Sequence, residues 1–469
     1  MDDFEDTTDR FLSWFKSVGG EFREDLLEIQ DLRCRDAGRG IIAIKDIPED
    51  TTLFTIPRNA IINVQTSELA QKIPNVFDGS LDEDDEDVEP LDSWGSLILV
   101  MLFEYLQGEG SRWKPYIDVL PSTFDTPIFW SGSELKELEG SCLTAEKIGK
   151  QESDDMLRSR ILPIVLQNPT VFYPKGARQL TEDELLHLAH RMGSTIMAYA
   201  FDLDNDNEQL DDEEEGWVED REGQTMLGMV PMADILNANA DFNAHVNHGE
   251  NLEVTSLRAD THAGTEILNY YGPLPSSELL RRYGYVTPEH RRYDVAEISW
   301  TLIRSTLCKH LGVTEDVLNG IEAELDEETL EDYFIIERDS GEPSSEGRLS
   351  HPAKLLEVSS ELEEQVKKVL KSLKILKPNL IPDKRKRDEI YNDVVEQALA
   401  ATLARYPTTV EEDEVLLKKS DLSKRHRMAV QVRLGEKLLL QEAKALVRDL
   451  EGKDTELTGE RAAKRSKNE

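Results

Sequence analysis

The sequence predicts an α+β protein in which a β-rich fold is split by a helical insertion and followed by an all-α C-terminal domain. Short apolar runs punctuated by Gly and Pro, typical of strands and turns, lie at 29–64 and again at 226–284. Apolar residues recur at helical spacing between these segments, and the pattern is almost wholly helical from residue 294 onward. The expected boundaries are therefore 1–65, 66–224, 225–293 and 294–469.

The first β-rich segment follows a short helical pattern at 11–15. Gly38-Arg39-Gly40 separates apolar runs, and a second run spans Leu53–Pro57, so we expect strands joined by turns. Taken alone, the turn at 36–40 favours a plain hairpin. Because neither GxGxxG nor GxxxxGK[ST] occurs, the turn indicates neither a dinucleotide site nor a P-loop.

The helical regions are predicted from their apolar spacing. Trp94–Leu106 and Thr181–Phe201 read as helices of the insertion. The longest apolar run, Leu97–Phe103, is far shorter than the roughly 20 residues of a membrane span, so we expect a buried helix and no membrane association. One apolar stripe predicts a separate C-terminal helical domain: Met428, Val432, Leu439, Ala443, Leu446 and Leu450.

The net charge of the sequence restricts the classes of partner that the protein is expected to bind. The 469 residues carry 54 Lys and Arg against 95 Asp and Glu, a net charge of −41. This disfavours a protein that wraps nucleic acid, so we expect no direct nucleic-acid binding and a basic macromolecular partner instead. Two acidic tracts, 82–89 and 202–222, are expected as disordered loops, with electrostatic steering of a basic protein as the alternative.

The cysteines and histidines predict neither a disulfide framework nor a metal centre. Cys34, Cys142 and Cys308 are scattered without a CxxC or CxC pair, which indicates a reducing compartment. The acidic N-terminus does not read as a signal peptide, so secretion is not expected. The histidines also have no further metal-ligating residues beside them. The pair at 187 and 190 is predicted in a helix and the pair at 245 and 248 in a loop.

A polar constellation interrupts the second β-rich segment. The run VPMADILNA at 230–238 is followed by NYYG at 269–272, and Tyr283 comes twelve residues after Tyr271. A single buried tyrosine is usually structural, with its hydroxyl hydrogen-bonded. The order of all these groups together indicates a functional site.

Four segments in this order resemble the SET-domain lysine methyltransferases of the Rubisco large-subunit methyltransferase-like class, including its ribosomal-lysine branch: AGRGIIA, SRWKPYIDVLP, VPMADILN, and NYYG with ELLRRYGYV. The resemblance runs from about residue 11 to 293, and MAVQVRLGEKLLLQ resembles the family's substrate-binding domain. It implies a SET fold and an S-adenosylmethionine-dependent protein-lysine N-methyltransferase. The implied substrate is a basic ribosomal protein.

The resemblance also implies roles for single residues. Tyr283 matches the family's final catalytic tyrosine, and Tyr271 lines the same channel. Asp234 is expected to hydrogen-bond across the strand crossing. Contacts with S-adenosylmethionine fall to Ala37, Gly38 and Arg39 through their backbone, and to Trp113, Tyr199, Asp202, Asn237, Ala238 and Tyr283.

Two positions depart from the family pattern. Ala238 stands where the family usually has His after Asn237, but the ribosomal-lysine branch shares a small residue there, so a backbone role is expected. Relatives can carry Gln at the position of Asp202.

Two interpretations of the whole chain remain. The first is the methyltransferase, whose narrow aromatic channel would disfavour the charged form of a target lysine by desolvation. The second is a non-catalytic acidic chaperone for a basic ribosomal or chromatin protein. Basic clusters at 384–387 and 464–467 are either solvated helix ends or nuclear-import signals, and the family resemblance favours a nuclear location.

Overall fold

The computed structural model describes residues 4–35, 37–77, 91–203, 226–325 and 330–465, with side chains up to 448. The strands are β1 Glu21–Phe22, β2 Leu27–Asp31, β3 Arg39–Ala43, β4 Thr52–Pro57, β5 Ala200–Asp202, β6 Leu227–Met229, β7 Asn237–Ala238, β8 Ala244–Asn247, β9 Asn251–Ser256, β10 Glu266–Asn269, β11 Ala296–Ser299 and β12 Tyr333–Ile336. The helices are α1 Phe4–Ser17, α2 Leu69–Lys72, α3 Ser93–Leu106, α4 Lys114–Ile117, α5 Gly132–Leu135, α6 Ala145–Ile148, α7 Lys150–Met156, α8 Leu162–Gln167, α9 Pro169–Phe172, α10 Glu182–Tyr199, α11 Ser276–Tyr283, α12 Trp300–Leu311, α13 Glu315–Glu322, α14 Ser360–Leu376, α15 Lys384–Leu403, α16 Val410–Leu417 and α17 Lys424–Arg465.

Both β-rich segments contribute to the same two sheets, which have the strand orders β1-β4-β9-β8 and β2-β3-β10-β7. In the second sheet β3 is antiparallel to both β2 and β10, whereas β7 runs parallel to β10. The predicted α+β architecture is thereby confirmed. Strands separated by some 200 residues of chain pair directly, so the helical insertion leaves the β fold continuous.

The insertion packs on this β fold through buried helices. Helix α3 begins after Asp92, whose side chain accepts a hydrogen bond from the backbone N–H of Gly95, and it buries every residue from Gly95 to Glu104. A helix that is apolar all round belongs inside a core. In α10 a capping box between Thr181 and Glu184 fixes the first turn. In the described part of the chain, no helix combines the length and apolarity needed to cross a membrane.

The C-terminal region has its own hydrophobic core, formed by α12 to α15, α17 and a small antiparallel sheet of β11 and β12. The expectation of an almost wholly helical region after residue 294 is wrong at these two strands. Ala296 and Ile298 in β11, and Phe334 and Ile336 in β12, are buried while their neighbours along each strand are not. Four-residue runs with this alternation are too short to be recognised within a helical context.

The long helix α17 joins the C-terminal region to the β fold. Met428, Ala429 and Val432 form one buried cluster with Leu280 of α11 and with Trp130 of the insertion. Further along α17, Leu439 and Ala443 enter the C-terminal core, as the stripe predicts. Helix α11 is therefore held from outside the β fold.

Some predicted features lie outside the described residues. The acidic tract at 82–89 does so completely, and only Asp202 and Leu203 of the second tract are described. The basic cluster at 464–467 lies beyond the described side chains. One histidine assignment was wrong, because His245 lies in β8 rather than in a loop. No group of three His, Cys, Asp or Glu side chains that could hold a metal occurs among the residues described.

Candidate active site

The turn between the antiparallel strands β2 and β3 runs from 32 to 38 and begins with a short 3-10 helix at Arg33–Arg35. The backbone N–H of Leu32 donates to the carbonyl of Gly38 at 2.7 Å. Gly38 has a φ of +66°, a left-handed conformation that favours glycine, and the space beside it is open for 4 Å. Ala37 next to it is half-buried. The turn therefore presents its backbone to a free volume, as a backbone contact with a ligand requires.

The Arg39 side chain ties this turn to the N-terminal helix. Its guanidinium donates to Thr8 Oγ1 at 3.0 Å, to Thr7 Oγ1 at 2.9 Å and to the carbonyls of Val119 and Phe4 at 3.2 and 3.3 Å. It also lies over the Phe4 ring, 4.0 Å from the centroid. The side chain is thus committed to protein contacts.

Asn237 fastens the same turn from the other side. Its Nδ2 donates to the Arg39 carbonyl at 3.1 Å and to Glu266 Oε1 at 2.7 Å. In the parallel pairing of β7 with β10, Asn237 faces Leu268. The next residue, Ala238, is buried in the cluster of tyrosines described below. One side chain therefore links three strands at the point where the two halves of the β fold meet.

The predicted tyrosines come together in a stack. Tyr271 and Tyr283 lie with ring centroids 4.4 Å apart and an interplanar angle of 11°. Tyr285 is tilted against Tyr283 at 5.9 Å. Helix α11 ends at Tyr283 because Gly284 caps it with a φ of +76°. This turn brings Tyr283 and Tyr285 to the same cluster although they are only two residues apart.

Burial sets the protonation of these groups. It raises the pKa of Tyr199, Tyr271, Tyr283 and Tyr285 above the ordinary value near 10, so all four are neutral at physiological pH. The Tyr271 hydroxyl donates to the Leu236 carbonyl at 3.2 Å. The Tyr285 hydroxyl is buried and has no hydrogen-bond partner among the described residues.

A buried carboxyl lies close to this cluster. Asp234 Oδ2 accepts a hydrogen bond from the Tyr116 hydroxyl at 2.6 Å, while Oδ1 is buried without a partner in the described part of the chain. Burial raises the pKa of Asp234 to about 7. Asp234 lies two residues before Leu236, whose carbonyl accepts the hydrogen bond from the Tyr271 hydroxyl, so the carboxyl belongs to the segment that contacts the stack. The hydrogen-bond donor to Asp234 is Tyr116 of α4, in the insertion, and not a residue across the strand crossing as expected.

The remaining predicted residues lie in different surroundings. Tyr199 ends α10 and packs against the tyrosine cluster. Asp202, three residues later, is half-buried at the end of β5. Trp113 belongs to the main hydrophobic core, where its Nε1 donates to the Ala60 carbonyl at 2.7 Å. Its position beside a cofactor stays a prediction.

Two residues of the site, Tyr285 and Tyr116, were not predicted from the sequence. Tyr285 was visible as the second tyrosine of a Tyr-Gly-Tyr triplet, and the helix-ending Gly284 was the signal that could have assigned it. Tyr116 is 118 positions from Asp234, and nothing local in the sequence pairs them.

Comparisons with known proteins identify two families along the chain. Residues 38–272 match the family model of the SET domain, and residues 314–440 match the family described as Rubisco LSMT substrate-binding. The chain is 37% identical over 306 residues to ribosomal lysine N-methyltransferase 4 of Saccharomyces cerevisiae, covering 64% of this chain and 59% of that protein. It is 27% identical over 437 residues to the human N-lysine methyltransferase SETD6, covering 86% and 83%.

Solved structures show the same fold. The crystal structure of the SET domain of LSMT bound to lysine and AdoHcy superposes with a TM-score of 0.65 at 21% identity, covering 95% of this chain and 92% of that one. The structure of Rubisco LSMT bound to AdoMet gives a TM-score of 0.60 at 21% identity, with coverages of 95% and 92%.

Proposed function

Because the chain belongs to the SET-domain family, we propose that it is a protein-lysine N-methyltransferase that uses S-adenosylmethionine. The observation that carries this proposal is the buried stack of neutral tyrosines beside a carboxyl, with a buried Tyr285 hydroxyl left for a ligand among the described residues. The names of the yeast and human relatives, both lysine methyltransferases, support the same activity.

The residues present fit S-adenosylmethionine. Open space beside Gly38 meets the backbone of the turn, and Asn237 holds that turn in place. Tyr285 and Asp234 Oδ1 are buried polar groups that a ligand could satisfy, and an unsatisfied group of this kind costs free energy. When bound, S-adenosylmethionine supplies a methyl group on a positively charged sulfur.

The tyrosines prepare the lysine amine. A free lysine has a pKa near 10.4, and an apolar aromatic channel disfavours its charged form because ammonium loses hydration there. Tyr271 and Tyr283 form such a wall. With S-adenosylmethionine bound, the Tyr283 hydroxyl oxygen would favour partial positive charge on the cofactor's methyl group. Alignment of the two reactants supplies the rest, up to about 7–11 kcal/mol in ideal cases.

The substrate we propose is a ribosomal protein. The net charge of −41 favours a Lys- and Arg-rich partner, and the name of the yeast relative points to a ribosomal lysine. A nuclear location stays a prediction that rests on this substrate and on the basic clusters.

The test is incubation of the full chain with labelled S-adenosylmethionine and separated ribosomal proteins, followed by mass spectrometry of the labelled band. We expect methylation of lysine in one basic ribosomal protein. If no protein is labelled and S-adenosylmethionine does not raise the melting temperature, the methyltransferase proposal is wrong. Binding of the same proteins without any labelling would favour the acidic chaperone.

A further inference from the structure

One cationic surface interrupts this acidic chain. Residues 367–387 contain nine Lys and Arg and a single acidic residue, although the whole protein carries −41. They form the end of α14 and the start of α15. Lys374 Nζ donates to the Pro382 carbonyl at 3.2 Å, so the two helix ends lie side by side. We call residues 367–387 the basic tip.

Most cations of the basic tip are available to a partner, whereas Lys367, Lys386 and Arg387 pair with Glu363, Glu389 and Asp388. Lys371, Lys377, Lys384 and Arg385 are exposed, and none of them forms an ion pair with any residue that the structure describes. The tip is also well anchored, because apolar side chains beneath it, such as Leu373, Ile381 and Ile390, are buried in the C-terminal core. Unpaired cations on a folded surface favour binding of a polyanion. Only the cationic side chains have to become ordered on binding, so the entropic cost is small.

The partner must differ from the proposed substrate. A Lys- and Arg-rich protein is repelled by this surface, so, if the proposed function holds, the tip faces another component. Acidic groups farther from the tip do not cancel its local field, because charges are screened over about 8 Å at physiological salt. We propose that the basic tip binds the phosphate backbone of RNA, the polyanion that accompanies a ribosomal protein in its particle. The net negative charge disfavours nucleic-acid binding by the chain as a whole, but it does not disfavour binding at this surface.

Two features favour RNA backbone over other uses of the tip. No Phe, Tyr or Trp occurs at 367–387, so the surface offers no platform for base stacking and its contacts would be independent of sequence. Lys384–Arg387 forms the first turn of α15, where the Asp383 side chain accepts from the Lys386 N–H at 2.8 Å. A receptor that reads a basic peptide in extended form would have to unwind this capped turn.

The test measures binding of the full chain to a fluorescein-labelled double-stranded RNA by anisotropy, between about 50 and 200 mM salt. We expect wild-type binding that weakens steeply with salt. The triple variant Lys371→Gln, Lys377→Gln and Arg385→Gln should bind at least about tenfold more weakly at low salt. The slope of log affinity against log salt should fall by about three, one for each lost phosphate contact.

A matched variant removes the same charge elsewhere: Lys45→Gln, Lys150→Gln and Lys175→Gln, three exposed lysines outside the tip. It should bind RNA like the wild type. An equal loss in both variants, or absence of RNA binding at low salt, would overturn the proposal. Equal affinity for polyglutamate would overturn it in favour of an acidic protein partner.

The result of the RNA-binding measurement does not depend on methyl transfer. RNA binding is measured without S-adenosylmethionine, so it stands even if the proposed activity fails. Both triple variants should bind S-adenosylmethionine as the wild type does, because the tip lies outside the tyrosine site. Loss of S-adenosylmethionine binding in the tip variant alone would contradict the separation of the tip from the tyrosine site.

Discussion

The tyrosine hydroxyls of the site differ in what holds them. Tyr271 donates to the Leu236 carbonyl, whereas the Tyr285 hydroxyl has no partner in the described part of the chain. Stacking holds the Tyr283 ring itself against Tyr271 at 4.4 Å. A phenylalanine at position 283 would preserve this stack and remove only the hydroxyl. Substitution there therefore tests the role of the hydroxyl in the reaction without disturbing the packing of the ring.

Tyr283→Phe should therefore leave the melting temperature nearly unchanged and lower turnover at least about tenfold, which corresponds to about 1.4 kcal/mol in the barrier. Single-turnover methylation at saturating S-adenosylmethionine measures the effect. Tyr270→Phe is the matched control, since Tyr270 stacks on Phe242 outside this cluster. Unchanged turnover in Tyr283→Phe, with cofactor binding demonstrated, would remove the hydroxyl from the mechanism.

Helix α1 holds the β2–β3 turn through its first turn. Arg39 bonds to Thr7, Thr8 and the Phe4 carbonyl and lies over the Phe4 ring, so the order of the turn depends on the start of this helix. If the turn binds S-adenosylmethionine, loosening it should affect cofactor affinity alone. Phe4 is a positioning residue in this interpretation, because it acts through Arg39.

Phe4→Ala should raise the KM for S-adenosylmethionine severalfold while the KM for the protein substrate and kcat stay close to wild type. Steady-state kinetics with each substrate varied in turn provide this split. Arg10→Ala on the same helix is the control, because Arg10 Nε bonds to the Asp6 carbonyl within α1. Equal changes in both KM values would show a general loss of structure and contradict the positioning role.

Helix α11 depends on a close approach by α17. The N–H of Ser276 at the start of α11 donates to Asp294 Oδ1 at 2.9 Å, and a Cβ on Gly435 would overlap the other oxygen of Asp294. Glycine is thus required at this point of α17 by the contact with Asp294. Displacement of Asp294 would shift the helix that ends at Tyr283.

Gly435→Ala should consequently lower both the free energy of unfolding and kcat, even though alanine is favoured over glycine in a helix by about 1 kcal/mol. Gly320→Ala in α13 has no atom within 4 Å of its new Cβ and should stabilise the protein by roughly that amount. Denaturant unfolding and kcat of the two variants make the comparison. Stabilisation by both substitutions would contradict the close approach.

At the scale of the whole molecule, buried polar groups join the insertion to the C-terminal domain. Glu436 of α17 accepts hydrogen bonds from the Cys142 N–H at 3.1 Å and from the Tyr406 hydroxyl at 2.8 Å. Nearby, Arg433 pairs with Asp413 and with Glu137 of the insertion. The C-terminal domain is therefore attached by directional contacts as well as by its apolar cluster.

Glu436 makes this attachment sensitive to pH. Burial raises the pKa of Glu436 from its ordinary 4.5 to about 8. Between these values the unfolded chain releases the proton and the folded protein retains it, so the contribution of Glu436 to stability is present at low pH and is lost as the pH rises to about 8. Glu436→Gln should gain stability relative to wild type over this range, with a constant difference above it.

Urea unfolding at a series of pH values measures this difference. The exposed Glu364→Gln is the control for the same substitution at a site without burial. A pH-independent difference between Glu436→Gln and wild type would show that the carboxyl is ionised throughout, and the interpretation of this contact would be wrong.

Local patterns in the sequence were enough to predict the split β fold, the helical insertion and the C-terminal helices, because period and punctuation are properties of neighbouring residues. The resemblance to the family predicts Tyr271, Tyr283 and Asn237 as site residues, and the structure stacks Tyr271 on Tyr283. Strands β11 and β12 escaped because four residues carry too little periodic signal. Contacts between distant parts of the chain were decided only by tertiary packing: Tyr116 with Asp234, Arg39 with α1, and Cys142 with Glu436, 294 positions apart. Such pairs form where helices and sheets meet, and no spacing along the chain records them.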